Sequence, residues 1–286
     1  MGAANPQQVN PRHASSRSRP VAFRHGGKLH GPITRVFSPS DLGELLKPFV
    51  FLDRFDISVS SGMRFNIHPH SGIATVSVML GGSVEYSDTT GKSGRLEPGS
   101  VEWMNAGCGV WHDSHPVGTE NVVGFQLWVA LPPNLENAPA ASQYIPREQV
   151  PTVGPVRVVL GQYAGVNSDI QSPEGVNYLI VKMRAGERWR YDTPPGHTVG
   201  WVFSHKGALL VSDTTLHQEL AVFEESDGPL EFEAEGDVEF ILGSAVKHPH
   251  NLWLGYYSVH TSAEALKHGE AEIRRIGEQL GLSARR

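Results

Sequence analysis

Residues 63–128 constrain the fold most. Their apolar residues alternate, as in TVSVML (75–80) and SVEYSD (83–88), and the alternation is cut by the turns GG (81–82), TTGKSG (89–94), EPGS (97–100) and NAGCG (105–109). A period of two places successive side chains on opposite faces of a strand, and glycine-rich dipeptides mark tight turns between strands. Short strands of this kind bury their apolar faces only by closing into a sandwich or barrel, so the chain is expected to be all-β.

The second half repeats the first in outline. GGSVEYSD (81–88) is echoed by KGALLVSD (206–213), and PGSVEW (98–103) by EGDVEF (235–240), in the same order. Two ordered echoes predict a duplicated β domain, which suits a chain of 286 residues. Residues 1–30 are polar and aperiodic and read as a mobile arm. The first domain is expected over 31–135; it opens with a strand, a short helical stretch capped by Ser40 or Asp41, and a second strand. The Pro- and Ala-rich LPPNLENAPAAS (131–142) leads into a linker over 136–155. The second domain covers 156–286 and ends in a helix, 262–280, with Thr261 and Glu264 as its capping box. Its stripe of Leu266, Ile273, Ile276 and Leu280 is expected to rest on a β domain.

Charge and composition narrow the function. A net charge of −6 from 30 acidic and 24 basic residues gives no field that favours nucleic acid or an anionic membrane. The lone Cys108 forms no internal disulfide, no apolar run reaches the length of a membrane span, and the first thirty residues lack the apolar core of a secretion signal. The start MGAANP carries Pro6 where myristoylation wants Ser or Thr. These features predict a cytoplasmic protein, and two barrels in one chain already imitate a dimer, so a monomer is expected.

Histidine is abundant, at 14 residues, so close spacing alone says little. The sharper observation concerns NIHPHSG (66–72). If residues 65–80 form one strand, His68 and His70 share a face with Gly72, Ala74, Val76, Val78 and Leu80, a small apolar face suited to a barrel interior. Two imidazoles there need partners, since an unpaired buried polar group costs roughly 1–3 kcal/mol, and a shared metal would satisfy both. A third candidate lies in AGCGVWHDSHP (106–116), where alternation sends inward either His112 with Ser114, or Trp111 with Asp113 and His115.

An HxH pair followed some forty residues later by a strand histidine resembles the cupin superfamily. The blocks HPHSGIATVSVMLGG, PGSVEWMNAGCGVWH and GFQLWVALP, with FSPSDLGELLKPFVFLDRFD before them and GYYSVHTSAEA near the end, resemble the pirin family across residues 20–282. This resemblance implies two stacked cupin barrels, jelly rolls with a C-terminal helix, and a metal, usually iron, in the first barrel only. It places the family's histidine ligands on His68, His70 and His112. The family's fourth ligand, a glutamate, falls on Ser114, and a further family glutamate falls on Ala74. Three neutral imidazoles leave a divalent metal its full double charge, and imidazole suits Fe, Ni, Cu and Zn alike. Ser114 is a poor ligand, so a water or open position is expected there.

Several neighbours have plainer readings. Asp113 and His115 would replace the lost glutamate only if the strand ended at His112. Cys108 reads as a small turn residue between glycines. Gln126, Trp103, Trp111 and Trp128 are either pocket lining or core, and Glu102, the nearest remaining carboxylate, reads as solvated or structural. The second HPH, in KHPHN (247–251), reads as a surface turn. His197 is the lone histidine near the equivalent place in the second barrel, which is therefore expected to hold no metal.

The resemblance implies two functional classes. One is a metal-dependent dioxygenase opening an electron-rich aromatic such as quercetin, with Glu102, Asp113 or Gln126 as candidates for the missing base. The other is a non-catalytic regulator that meets a protein partner, a transcriptional co-regulator or metabolic modulator. A sugar-binding or isomerase-like cupin fits the fold but none of the quoted blocks.

Overall fold

The computed structural model describes residues 18–282. The first half contains β1 (Val21–His25), β2 (Lys28–His30), β3 (Ile33–Phe37), β4 (Phe49–Ile57), β5 (Phe65–His70), β6 (Ile73–Gly81), β7 (Ser83–Asp88), β8 (Ser93–Leu96), β9 (Val101–Asn105), β10 (Val110–Val117), β11 (Val122–Ala130) and β12 (Ala141–Ile145). A seven-stranded sheet in the order β12-β9-β6-β11-β4-β3-β2 faces a four-stranded sheet in the order β5-β10-β7-β8. The second half repeats this plan. Its larger sheet carries, in spatial order, β1 and the strands 220–223, 199–206, 238–245, 176–183, 156–160 and 152–153, and its smaller sheet the strands 188–191, 230–234, 209–211 and 214–216.

The larger sheets lie back to back. Val76, Trp103, Phe125 and Leu127 of one share a continuous core with Tyr178, Ile180, Trp201 and Ile241 of the other. Each large sheet is therefore buried on both faces, one against its twin and one against its own barrel interior.

This arrangement corrects the expected single strand over 65–80. The chain breaks at Ser71–Gly72, where Gly72 has φ +74, and passes from the smaller sheet to the larger. A side chain at Gly72 would place its Cβ 2.1 Å from the Val259 carbonyl oxygen, so glycine is required by space as well as by φ. The break changes the alternation: Ala74, Val76 and Val78 face the twin sheet instead of the histidines. A glutamate at position 74 would thus lie in the inter-barrel core.

The repeat is real in the first echo and displaced in the second. β7 and the strand 209–211 occupy equivalent places in the smaller sheets. The strand that begins in EGDVEF, 238–245, lies between 199–206 and 176–183, as β11 lies between β6 and β4, whereas PGSVEW leads into β9. A glycine turn followed by an alternating strand looks the same wherever it falls in a barrel.

Both termini cross over. Residues 1–17 of the expected arm lie outside the described residues, but 18–30 are built into the fold. β1 pairs with 220–223 of the second barrel, and the Arg19 guanidinium, fully buried, donates to the carbonyls of Gly228 (2.7 Å), Thr198 (2.9 Å) and His197 (2.7 Å). In return, the hairpin Trp253–Gly255/Ser258–His260 and the helix Ala263–Gln279 rest on the first barrel: Trp111 donates its indole N–H to the Ile273 carbonyl at 2.7 Å. The helix cap is Ser262, whose hydroxyl accepts from the Ala265 amide, and the buried stripe is Ala265, Gly269, Ile273 and Gly277, with Leu280 exposed. The earlier helical turn starts from Ser38, whose amide donates to Asp41 Oδ1 at 2.7 Å, two residues before the expected Ser40.

Candidate metal centre

His68 and His70 stand on β5 and His112 on β10, where His112 is the direct cross-strand neighbour of His68. One ring nitrogen from each lies within 4.8 Å of those from the other two. The Nε2 atoms of His68 and His112 approach to 3.0 Å. Of the two alternations open for β10, the structure takes the one with His112 and Ser114 inward, although the pairing with β5 shifts by a bulge between them. Ser114 lines the same cavity as His68 and His112.

Outer contacts fix the rings. His68 Nδ1 lies 2.8 Å from the Asn66 carbonyl and His70 Nδ1 lies 3.1 Å from the Tyr257 carbonyl. A carbonyl only accepts, so each Nδ1 carries the proton and each Nε2 presents its lone pair to the cluster. Burial, reinforced by mutual repulsion, pushes the His70 and His112 imidazoliums well below the usual range, and burial lowers His68 as well. All three rings are therefore neutral near pH 7, as ligands must be. His70 Nε2 is buried and has no hydrogen-bond partner among the described residues. This orphaned lone pair stands beside the Nε2 atoms of His68 and His112, a cluster that a shared divalent metal would satisfy; the residues fit one.

The crossing hairpin holds this arrangement together. Ser71, next to His70, contacts Ser258 (2.8 Å) and His260 Nε2 (3.0 Å), and His260 Nδ1 lies 3.2 Å from Glu136, all of them buried. Glu136 also accepts from the Thr261 amide and hydroxyl, which is why Thr261 does not cap the helix. A Ser–His–Glu sequence of contacts with no solvent access is a clamp on the hairpin, and through the Tyr257 carbonyl it orients His70.

The cavity beside the histidines has a volume of about 70 Å³ and is lined by Glu102, Gln126, Asp53, Ser77, Tyr86 and Ser114, among others. It opens past His68 and Gln126 into a cleft of about 800 Å³ walled by Phe51, Trp128, Tyr256 and Tyr257. Phe51 and Trp128 stack at 4.1 Å, and Trp128 meets His70 edge-on at 4.9 Å.

The remaining candidates separate cleanly. Glu102 is not solvated: it is 5 % exposed, and burial pushes its carboxyl up to about 7, with the Ser77 hydrogen bond opposing and the Asp88 charge adding to the rise. Asp113 accepts from the Ser87 hydroxyl and His115 pairs with Glu85 at 3.3 Å, both away from the cavity. Trp103 belongs to the inter-barrel core and Trp111 to the helix contact, so of the tryptophans only Trp128 walls the cleft. Cys108 is a turn residue whose amide bonds Ala138. The KHPHN segment is more than a surface turn, because His248 is buried with Nε2 3.3 Å from the Leu131 carbonyl. The sequence reading missed Asp53, which the alternation of β4 could have placed opposite Gln126.

Two back-to-back jelly rolls with a three-histidine cluster in one of them define a bicupin. Residues 32–129 match the family model described as Pirin. A Pseudomonas aeruginosa protein named "Putative quercetin 2,3-dioxygenase PA2418" is 31 % identical over 229 residues, 74 % of this chain and 79 % of the relative. Human Pirin is 30 % identical over 180 residues, 61 % of either chain. Among solved structures, a quercetin 2,3-dioxygenase from Acinetobacter baumannii superposes with a TM-score of 0.83 at 24 % identity, covering 92 % of this chain and 98 % of its own. The chain belongs to the pirin family.

Proposed function

We propose that this chain is a metal-dependent oxygenase that acts on a hydroxylated aromatic small molecule of the quercetin type. The observation that carries the reading is the orphaned His70 Nε2 clustered with His68 and His112, beside a cleft walled by aromatic rings. His68, His70 and His112 would hold the metal, with Ser114 leaving an open position. A divalent ion there supplies a Lewis acid that polarises a substrate oxygen and favours its ionised form. Iron is the ion we expect; the nickel(II) in the Escherichia coli pirin YhhW supports a divalent metal without fixing which. Trp128, backed by Phe51, and Tyr257 flank the substrate ring and exclude water, and Glu102 and Gln126 are the cavity groups in position to meet its hydroxyls. We expect a cytoplasmic monomer.

Elemental analysis of tagless protein, with His68→Ala beside it, is the first test. The expected result is about one metal per chain in the wild type and its loss in the variant, followed by O₂ uptake with quercetin. A metal-free wild type would sink the reading.

One observation favours a second reading, a regulator that meets a protein partner. The hairpin beside the cleft exposes Trp253, Leu254 and Tyr256, and no carboxylate stands at Ser114. A metal-loaded chain that consumes no O₂ with any flavonol, even as Ser114→Glu, would shift the assignment to this class.

A further inference from the structure

A row of polar side chains crosses the inner face of the first barrel's larger sheet. Arg35 pairs with Asp53, Asp53 with Gln126, Gln126 with Ser77, Ser77 with Glu102, and Glu102 with Tyr144, each directly across from the next on six adjacent strands, β3, β4, β11, β6, β9 and β12. Direct cross-strand partners share a face. The rows on either side carry no charge, with Phe51, Trp128 and Thr75 on one and Phe55, Gly124 and Met79 on the other. Asp53, Gln126, Ser77 and Glu102 form the floor of the histidine cavity.

Both carboxylates on this floor are nearly buried. Asp53 is held by the Arg35 guanidinium at the mouth, Nη2 to Oδ2 3.0 Å. Among the described residues, neither lysine nor arginine lines the cavity at Glu102. The groups that face it are Ser77 and Gln126 of its own row, Tyr86 and Asp88 of β7, Tyr144 of β12, His68 of β5, and His112 and Ser114 of β10. The Tyr144 hydroxyl lies 2.9 Å from Asp88 Oδ2 and 3.4 Å from Glu102 Oε1. A phenol has one proton to donate, and the shorter contact to Asp88 takes it. The longer contact leaves Glu102 Oε1 only a weak donor, which opposes the burial of its carboxyl in part, so the group stands poised to gain and lose a proton.

We propose that this row takes over the work of the carboxylate missing at Ser114, with Glu102 as the proton acceptor and Asp53 and Gln126 fixing the neighbouring oxygens of the ligand. The inference rests on the oxygenase reading above. A ligand hydroxyl lying over the row breaks its O–H bond, the proton forms a new O–H bond on the Glu102 carboxylate, and the electron pair stays on the ligand oxygen. The substrate class is then a planar aromatic with adjacent hydroxyl or carbonyl oxygens that enters as the neutral acid. Burial keeps the acceptor near the pH at which a general base works best.

The test uses zinc-loaded full-length chain without oxygen and quercetin as the probe, reading the absorption band of the ionised flavonol against pH. In Glu102→Gln we expect quercetin to bind but to ionise at a pH higher by about one unit or more, a tenfold loss of proton-accepting power. An unchanged midpoint in a variant that binds quercetin overturns this inference and leaves the oxygenase reading standing. No binding to the wild type overturns both. Should Glu102→Gln lose its metal, infrared spectroscopy of wild-type protein carrying ¹³C-labelled glutamate asks the same question at pH 8. There the protonated glutamate band must grow on quercetin binding, and its failure to grow overturns the assignment.

Discussion

The two barrels share a topology and part company at the three positions that carry the histidines. The strand 188–191 corresponds to β5 and 230–234 to β10, so Trp189, Tyr191 and Phe232 stand where the first barrel has His68, His70 and His112. Trp189 stacks on Phe232 at 5.4 Å and Phe232 meets Phe240 at 5.2 Å, so rings fill the space. The same backbone frame thus supports either a packed hydrocarbon interior or a cluster of nitrogen lone pairs. The first barrel gives up aromatic burial at this point, and its hairpin clamp and carbonyl contacts keep the imidazoles in place instead.

That contrast can be broken from either side. Gly72→Ala should have the largest effect, about 4 kcal/mol or more of lost stability together with metal, because its Cβ collides with the hairpin that orients His70; urea denaturation and metal content measure both. Phe232→Ala should cost about 3–5 kcal/mol and leave metal affinity intact, whereas His112→Ala should abolish metal binding with far less effect on the metal-free fold. Finding the two effects exchanged would end the functional distinction between the barrels.

Glu102→Gln sharpens the comparison through pH. The folded carboxyl at about 7 lies above its ordinary 4.5, so between those values the folded chain binds more protons than the unfolded one. Wild-type stability must therefore fall as pH rises through this window, by up to about 3 kcal/mol, and Gln removes that fall. The gap in urea midpoint between variant and wild type should widen in the variant's favour from pH 5 to pH 8. A constant gap would show that Glu102 is not perturbed. Ser114→Glu should tighten metal binding about tenfold, since a glutamate ligand lowers the net charge of the site; unchanged affinity in a competition assay would place Ser114 outside the coordination sphere. Trp111→Phe, which removes the bond to the Ile273 carbonyl and part of the ring packed on Gly277, should cost about 1–2 kcal/mol in thermal denaturation.

Much of this architecture was legible before any coordinates. The alternation in TVSVML and SVEYSD lies in β6 and β7, and HPH followed by a strand histidine marked the three rings that the fold brings together. The solvated alternative for Glu102 came from Val101-Glu102-Trp103, which looks like a strand with one wet face. Both faces are dry, since the twin sheet covers Trp103 and the cavity encloses Glu102. The places of β1 and of the helix Ala263–Gln279 were hidden for a related reason: each packs on the barrel built from the other half of the chain.

What the sequence determined by itself is local: period-two strands, glycine turns, and the residue types able to bind a metal. These depend on neighbours a few positions away. The tertiary structure alone decided which way the alternation runs after Gly72, that six strands align Arg35 to Tyr144 in one row, and that the C-terminal hairpin supplies the carbonyl for His70. Those contacts join residues as many as 187 positions apart, and closure of the barrels, not propensity along the chain, sets them.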